Sequence, residues 1–216
     1  MSERRQLTAW AGMIGAALFV GAFTLAGWLR PGYDPLREYV SALSIGPRGW
    51  LQIANFIVVG ALLLVFARGV AIEFPYGPAS KAGPLLLAIF AGSLLLSGPF
   101  VMDPATTGQG GVSLHGTLHG IFGALVFSLM PINCFVFLRR FGEDRQWRPF
   151  QPWTLAAGTI IAAAVILLTI ATKVPVAAHA FIAWRGLIQR AALIAYMCWL
   201  FAFALRLRKR RSDIRG

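Results

Sequence analysis

The sequence predicts an all-α membrane protein, a six-transmembrane-helix bundle with both termini in the cytoplasm (N-in/C-in). Three observations carry this expectation. Of 216 residues, 57% are hydrophobic and 13% charged, and the mean hydropathy is +0.68. A soluble domain of that make-up would leave much of its apolar surface in water. The apolar residues fall into six runs, most of them near the ~20 residues that cross a bilayer as helix. Finally, fourteen of the 20 Lys and Arg residues lie in the N-terminus, the second and fourth loops and the tail; five lie in the other loops, and Arg190 is inside a run. Such a bias marks the cytoplasmic side. The net charge of +12 is therefore a topology signal. With no separate basic domain to grip phosphates, nucleic acid is not an expected partner.

The spans are expected at about residues 8–29, 50–67, 84–101, 114–138, 154–172 and 185–205, in one integral membrane domain covering 1–216. Arg4 and Arg5 precede the first run, which is too long for a signal peptide and lacks a small-residue cleavage site, so it is read as retained. Gly12 and Ala16, like Ala11 and Gly15, give it a small-residue face for close packing. The following loop, RPGYDPLREYVSALSIGPRG, is bounded by turn signals. Most of these residues read as a solvated loop, within which a short interfacial helix over Pro35 to Ser44 would bring Asp34, Glu38 and Ser41 to the membrane surface. In span two, Gln52 and Asn55 share a face, as amides that hydrogen-bond between helices do.

Pro84 fits the first turn of span three, where its missing N–H costs nothing, and Ser93 and Ser97 form a small-residue pair farther on. Span four opens with His115 and His119 on one face and with a groove of Gly116, Gly120 and Ala124 beside them for a neighbouring helix. Pro131 is expected to kink its far end. Residues 173–184 read as a loop carrying Pro175 and His179, and Gln189 and Arg190 lie inside span six. Cys134 and Cys198 fall within apolar runs and read as small buried hydrophobes, not a disulfide.

The chemistry converges on FVMDPATTGQGGVSLHGTLHG, residues 100–120, where Asp103 and the two histidines stand at the ends of apolar runs. With the basic loops inside, Asp34, Glu38, Asp103, His115, His119, His179, Arg185 and Arg190 all fall at the outer side. Titratable groups at membrane depth are costly and have a partner or a task.

Three stretches, YDPLREYVSALSIGPRGWLQIANF, MDP…LHGTLHG and GLIQR, resemble a family of bacterial six-helix membrane proteins known only as a domain of unknown function (number 998). The resemblance runs from span one to span six. It implies a multi-pass protein of the bacterial cytoplasmic (inner) membrane and supplies no activity. Asp34, Ser41, Ser44, Asp103, His115, His119 and Arg190 match its pattern.

Several readings of the outer cluster follow. In a structural network Arg190 neutralises Asp103 or Glu38 while the histidines bond to loop backbone. In a binding site the cluster takes a small polar molecule or a lipid head group. In a metal-dependent hydrolase of the outer leaflet, His115, His119 and Asp103 hold zinc. The Ser, Asp and HxxxH set is similar to that of the alkaline ceramidase and adiponectin receptor superfamily, but here the HxxxH is on span four, the last span has no histidine, and there are six spans where that superfamily has seven. A b-type haem would need His115 or His119 opposite His179. The expectation is a protein in lipid with no cofactor, with zinc and haem as alternatives.

Overall fold

The computed structural model describes residues 2–104 and 112–209; residues 1, 105–111 and 210–216 lie outside the described residues. Its helices are α1 (Ser2–Trp28), α2 (Gly49–Glu73), α3 (Ala82–Leu96), α4 (Leu114–Glu143), α5 (Gln151–Lys173), α6 (Pro175–Phe181) and α7 (Arg185–Lys209), with 3-10 turns at Val40–Ser44 and Arg148–Phe150. No strand occurs among the described residues. Apart from α6, each helix packs on the next in the chain and α7 returns to α1, closing a ring.

Small residues set the approach of the helices. A Cβ on Gly12 of α1 would stand 2.6 Å from the Phe66 ring of α2 and 2.9 Å from Ala204 of α7. One on Gly60 of α2 would meet the Ala91 carbonyl and Leu95 of α3. Asn55 donates to the Phe19 carbonyl of α1 at 3.2 Å and to Gln52 Oε1 at 3.3 Å, so the amide pair does bridge two helices.

Five helices, α1, α2, α4, α5 and α7, are long and apolar enough to cross a membrane. The third is not as long as expected. Its 15 residues rise about 22 Å, short of the ~30 Å hydrocarbon core. Ser97 bonds back to the Ser93 carbonyl, and Gly98-Pro99 ends the helical ladder there. Gly83 at its start lies against Phe137 of α4, and Gly98, just past its end, lies against Ile53 and Ile57 of α2.

Three further expectations need correction. Residues 175–181, read as loop, form α6, with Pro175 at a first-turn position that needs no N–H. The interfacial helix over Pro35–Ser44 shrinks to the turn at Val40–Ser44. Cys198 is exposed on the outer wall of α7, although Cys134 is buried and both are free.

The outside of the ring is apolar: Ile14, Val65, Ile160 and Ile166 are each 46–61% exposed. Exposed tryptophans mark both ends, with Trp28, Trp50 and Trp184 at one and Trp10 and Trp153 at the other, as in interfacial aromatic belts. This is the surface of a multi-pass membrane protein. At the end holding the α2–α3 and α4–α5 connections, Phe74, Phe137, Phe141, Trp147 and Phe203 are wholly buried against one another, and the Phe141–Trp147 rings stack at 4.9 Å.

Candidate functional site

At the opposite end, the loop after α1 is held on the start of α7 by its own main chain. A Cβ on Gly186 would sit 2.5 Å from the Glu38 carbonyl oxygen, so only glycine lets the backbones come this close. Leu187 N–H donates to the Leu36 carbonyl at 3.0 Å, and Arg185 Nε donates to the Arg37 carbonyl at 3.1 Å. Arg190 completes the latch. Its Nη1 donates to the carbonyls of Pro35 (2.6 Å), Glu38 (2.8 Å) and Gly186 (3.1 Å). Its Nη2 donates to the Tyr33 hydroxyl, which in turn donates to the Tyr39 carbonyl at 3.0 Å.

The expected ion pair of Arg190 with Asp103 or Glu38 is therefore absent among the described residues. Close approach at Gly186 presents carbonyls to the guanidinium, and the Glu38 carboxylate turns away to accept from Asp34 N–H at 3.1 Å. Asp34 caps the same turn by accepting from Leu36 N–H at 2.9 Å, and lies 3.8 Å from Arg37. Ser44 is buried and donates to the Ser41 carbonyl at 2.6 Å. Burial pushes the Tyr33 and Tyr39 hydroxyls above the ordinary tyrosine range.

Asp103 sits across from this latch, on the start of α4. Ser113 is the N-cap, its Oγ accepting from Gly116 N–H at 3.0 Å. Asp103 accepts from Ser113 Oγ at 2.6 Å and from Ser113 N–H at 2.9 Å. These two bonds, and to a smaller degree the charge of His115, hold its carboxyl below the ordinary aspartate range. The carboxylate occupies the place where a Cβ on Gly116 would be, 2.0 Å from Oδ2. So the glycine groove on α4 receives Asp103, and not the neighbouring helix that the sequence suggests.

The two histidines diverge. His119 is half-buried, its Nδ1 lies 2.7 Å from the Phe100 carbonyl, and its ring meets Phe56 edge-on. His115, one turn nearer the helix start and beyond the packed part of the bundle, is exposed beside the Phe100 ring. His179 is exposed on α6. Among the described residues no group of three or more His, Cys, Asp or Glu side chains stands close enough to hold a metal. The set His115, His119 and Asp103 is thus not assembled as ligands.

What the elements do enclose is a pair of connected cavities. The wider, about 660 Å³, opens between α4 and α5 and is lined by Asp103, Gly116, Gly120, Leu168, Thr172 and Lys173, with Tyr39 and Met102 at its mouth. The narrower, about 40 Å³, lies deeper among Phe19, Phe56, Leu94, Val126 and Leu193. Ser41, His119, Gly123, Phe127 and Gln189 line both. Nothing stands within 4 Å of where a Cβ on Gly120 or Gly123 would be, so the space exists because α4 lacks side chains there. Gly116, Gly120 and Gly123 fall at i, i+4 and i+7 on one helix face, a spacing that could have drawn attention to Gly123. Lys173 and Tyr39 carry no comparable signal.

Gln189 is the key inner group. It is 7% exposed, and its Oε1 accepts from Val40 N–H at 2.7 Å. Its Nε2 has no hydrogen-bond partner among the described residues, on a side chain lining both cavities. His119 complements it. His119 Nδ1 faces the Phe100 carbonyl, and when that nitrogen carries the proton of a neutral ring, Nε2 is left as an acceptor.

No curated protein and no solved structure matches the chain. Residues 13–206 match the family described as "Protein of unknown function (DUF998)", and the chain belongs to it.

Proposed function

We propose that this protein binds an amphiphilic ligand in the cleft between α4 and α5, at the outer face of the bacterial inner membrane. The observation that carries the reading is Gln189, which lines both cavities with its Oε1 bonded to Val40 N–H and its Nε2 without a hydrogen bond among the described residues. That N–H is open to water, and a ligand oxygen would take the water's place as acceptor. His119 Nε2 supplies the matching acceptor for a ligand hydroxyl or amide. Asp103 and Lys173 at the rim suit a polar or zwitterionic head group, and Phe127 with Leu168 suits an apolar chain.

The topology that goes with it has six passes and both termini inside. The Lys and Arg asymmetry supports it, and α3, packed between α2 and α4, would be the short third pass. A phosphatase active only outside the cytoplasm should be active when fused after Gly110 and silent after Gly216; the reverse would overturn the orientation.

Lipid extraction and mass spectrometry of the purified protein tests the binding. Wild type should retain a defined amphiphile. Gln189→Glu, which keeps the acceptor for Val40 and removes the donor, and His119→Phe should each lose it while still unfolding in one cooperative thermal transition. Equal lipid profiles in all three proteins would end the proposal.

A further inference from the structure

A second cleft, of about 610 Å³, lies at the other, aromatic end, where Arg145, Trp147 and Phe150 face Leu205, Arg206 and Lys209. We propose that it is a head-group site for an anionic phospholipid. Among the described residues its lining holds three cations and no acidic residue. The carboxylate of Glu143, close by in sequence, is engaged elsewhere, with Arg139 at 2.8 Å, and Asp144 lies 3.5 Å from Arg140.

Arg206 is the pre-organised group. Its Nη2 donates to the Gln146 carbonyl at 2.5 Å. Its guanidinium lies over the Trp147 ring at 5.7 Å and the Phe150 ring at 6.0 Å. Held this way, the planar fork has little freedom left to lose and keeps further N–H groups for the two non-bridging oxygens of a phosphodiester. Arg145 is exposed and has no ion-pair partner among the described residues.

The floor identifies a lipid over a soluble phosphate. Ala202 and Leu205 lie on α7 and Phe150 just before α5, both candidate membrane spans. Acyl chains lying along those helices reach the same wall that the head group would occupy. Basic clusters at the end of a span attract anionic lipids, each cation contributing about fivefold in affinity. The site is remote from Gln189 and stands whether or not the α4–α5 cleft binds anything.

The test is native mass spectrometry of the full-length protein with equimolar phosphatidylglycerol and phosphatidylcholine. Wild type should retain phosphatidylglycerol preferentially. Arg145→Gln, a change at an exposed side chain, should lower that preference about fivefold. Arg206→Lys, which keeps the charge and removes the fork, should lower it too, whereas Lys81→Gln, at an exposed side chain at the same end but outside the cleft, should not. Equal retention of the two lipids in wild type would overturn the proposal. So would a loss as large in Lys81→Gln, which would reveal a general charge effect. Stabilisation by soluble glycerol phosphate with no phosphatidylglycerol retained would mark a site for a soluble anion and overturn it equally.

Discussion

The two ends of the helix ring solve the same closure problem with different chemistry. At the basic end Phe74, Phe137, Phe141, Trp147 and Phe203 fill the space themselves, each wholly buried. Ring pairs at 4.9–6.4 Å tie α2, α4, α7 and the Arg148–Phe150 turn into one block. At the loop end little fills the interior; the main chain of residues 35–40 is latched on α7, and the glycine face of α4 leaves open volume beside it. Side-chain volume makes the first end a plug. Its absence leaves open volume lined by Gln189 and His119 at the second, a candidate site.

The sharpest way to break this contrast is to hollow out the plug. Phe203→Ala removes a ring that contacts Phe66, Phe74, Phe137, Phe141, Trp147, Phe150 and Trp199. It should cost about 3–5 kcal/mol, read as a lower thermal midpoint, with any ligand at Gln189 still retained. Loss of that ligand in equal measure would mean the two ends are not separable.

Arg190→Ala should come next, at about 3 kcal/mol, because it strips a charged donor from three carbonyls and the Tyr33 hydroxyl. Arg190→Lys should recover only part, since an ammonium does not reproduce the fork. Unlike the Phe203 change, both should loosen the α4–α5 cleft, seen as faster hydrogen exchange in residues 33–44.

The glycines of α4 should then respond with opposite signs. Gly120→Ala enters open space and should stabilise by about 0.5–1 kcal/mol through helix propensity. Gly116→Ala meets the Asp103 carboxylate and should destabilise. Equal effects would show that the glycine face is not what makes the cavity.

The smallest effect concerns Asp103, whose carboxyl is held low by Ser113. A lowered folded value means its contribution is present above the ordinary aspartate range and disappears as pH falls through the lowered value. The stability difference between wild type and Asp103→Asn should thus stay constant at neutral pH and vanish only in strong acid.

Much of the fold was legible in the sequence, because apolar runs report hydrocarbon directly. The start of α4 at Leu114 followed from the run beginning there, and the Gln52–Asn55 face from its spacing. The end of α3 was overrun because Gly98-Pro99-Phe100-Val101 is apolar without being helical. The partner of Arg190 was misjudged for a deeper reason. Charge suggests charge, whereas main-chain carbonyls are the same at every residue and leave no trace in the sequence; only Gly186 hinted at the close approach. The histidine pair shared a helical face as read, but spacing does not say where the bundle stops, and it stops between them.

The central claim is that the loop end holds a ligand and the aromatic end does not hold one in its core. A photoreactive phenylalanine analogue placed in cells at Phe127, which lines both cavities, at buried Phe203, and at lipid-facing Phe135 tests it directly. The account predicts a discrete amphiphile adduct at 127, only intramolecular adducts at 203, and mixed bulk lipid at 135. Intramolecular adducts alone at 127, or the same mixed lipid there as at 135, would contradict it.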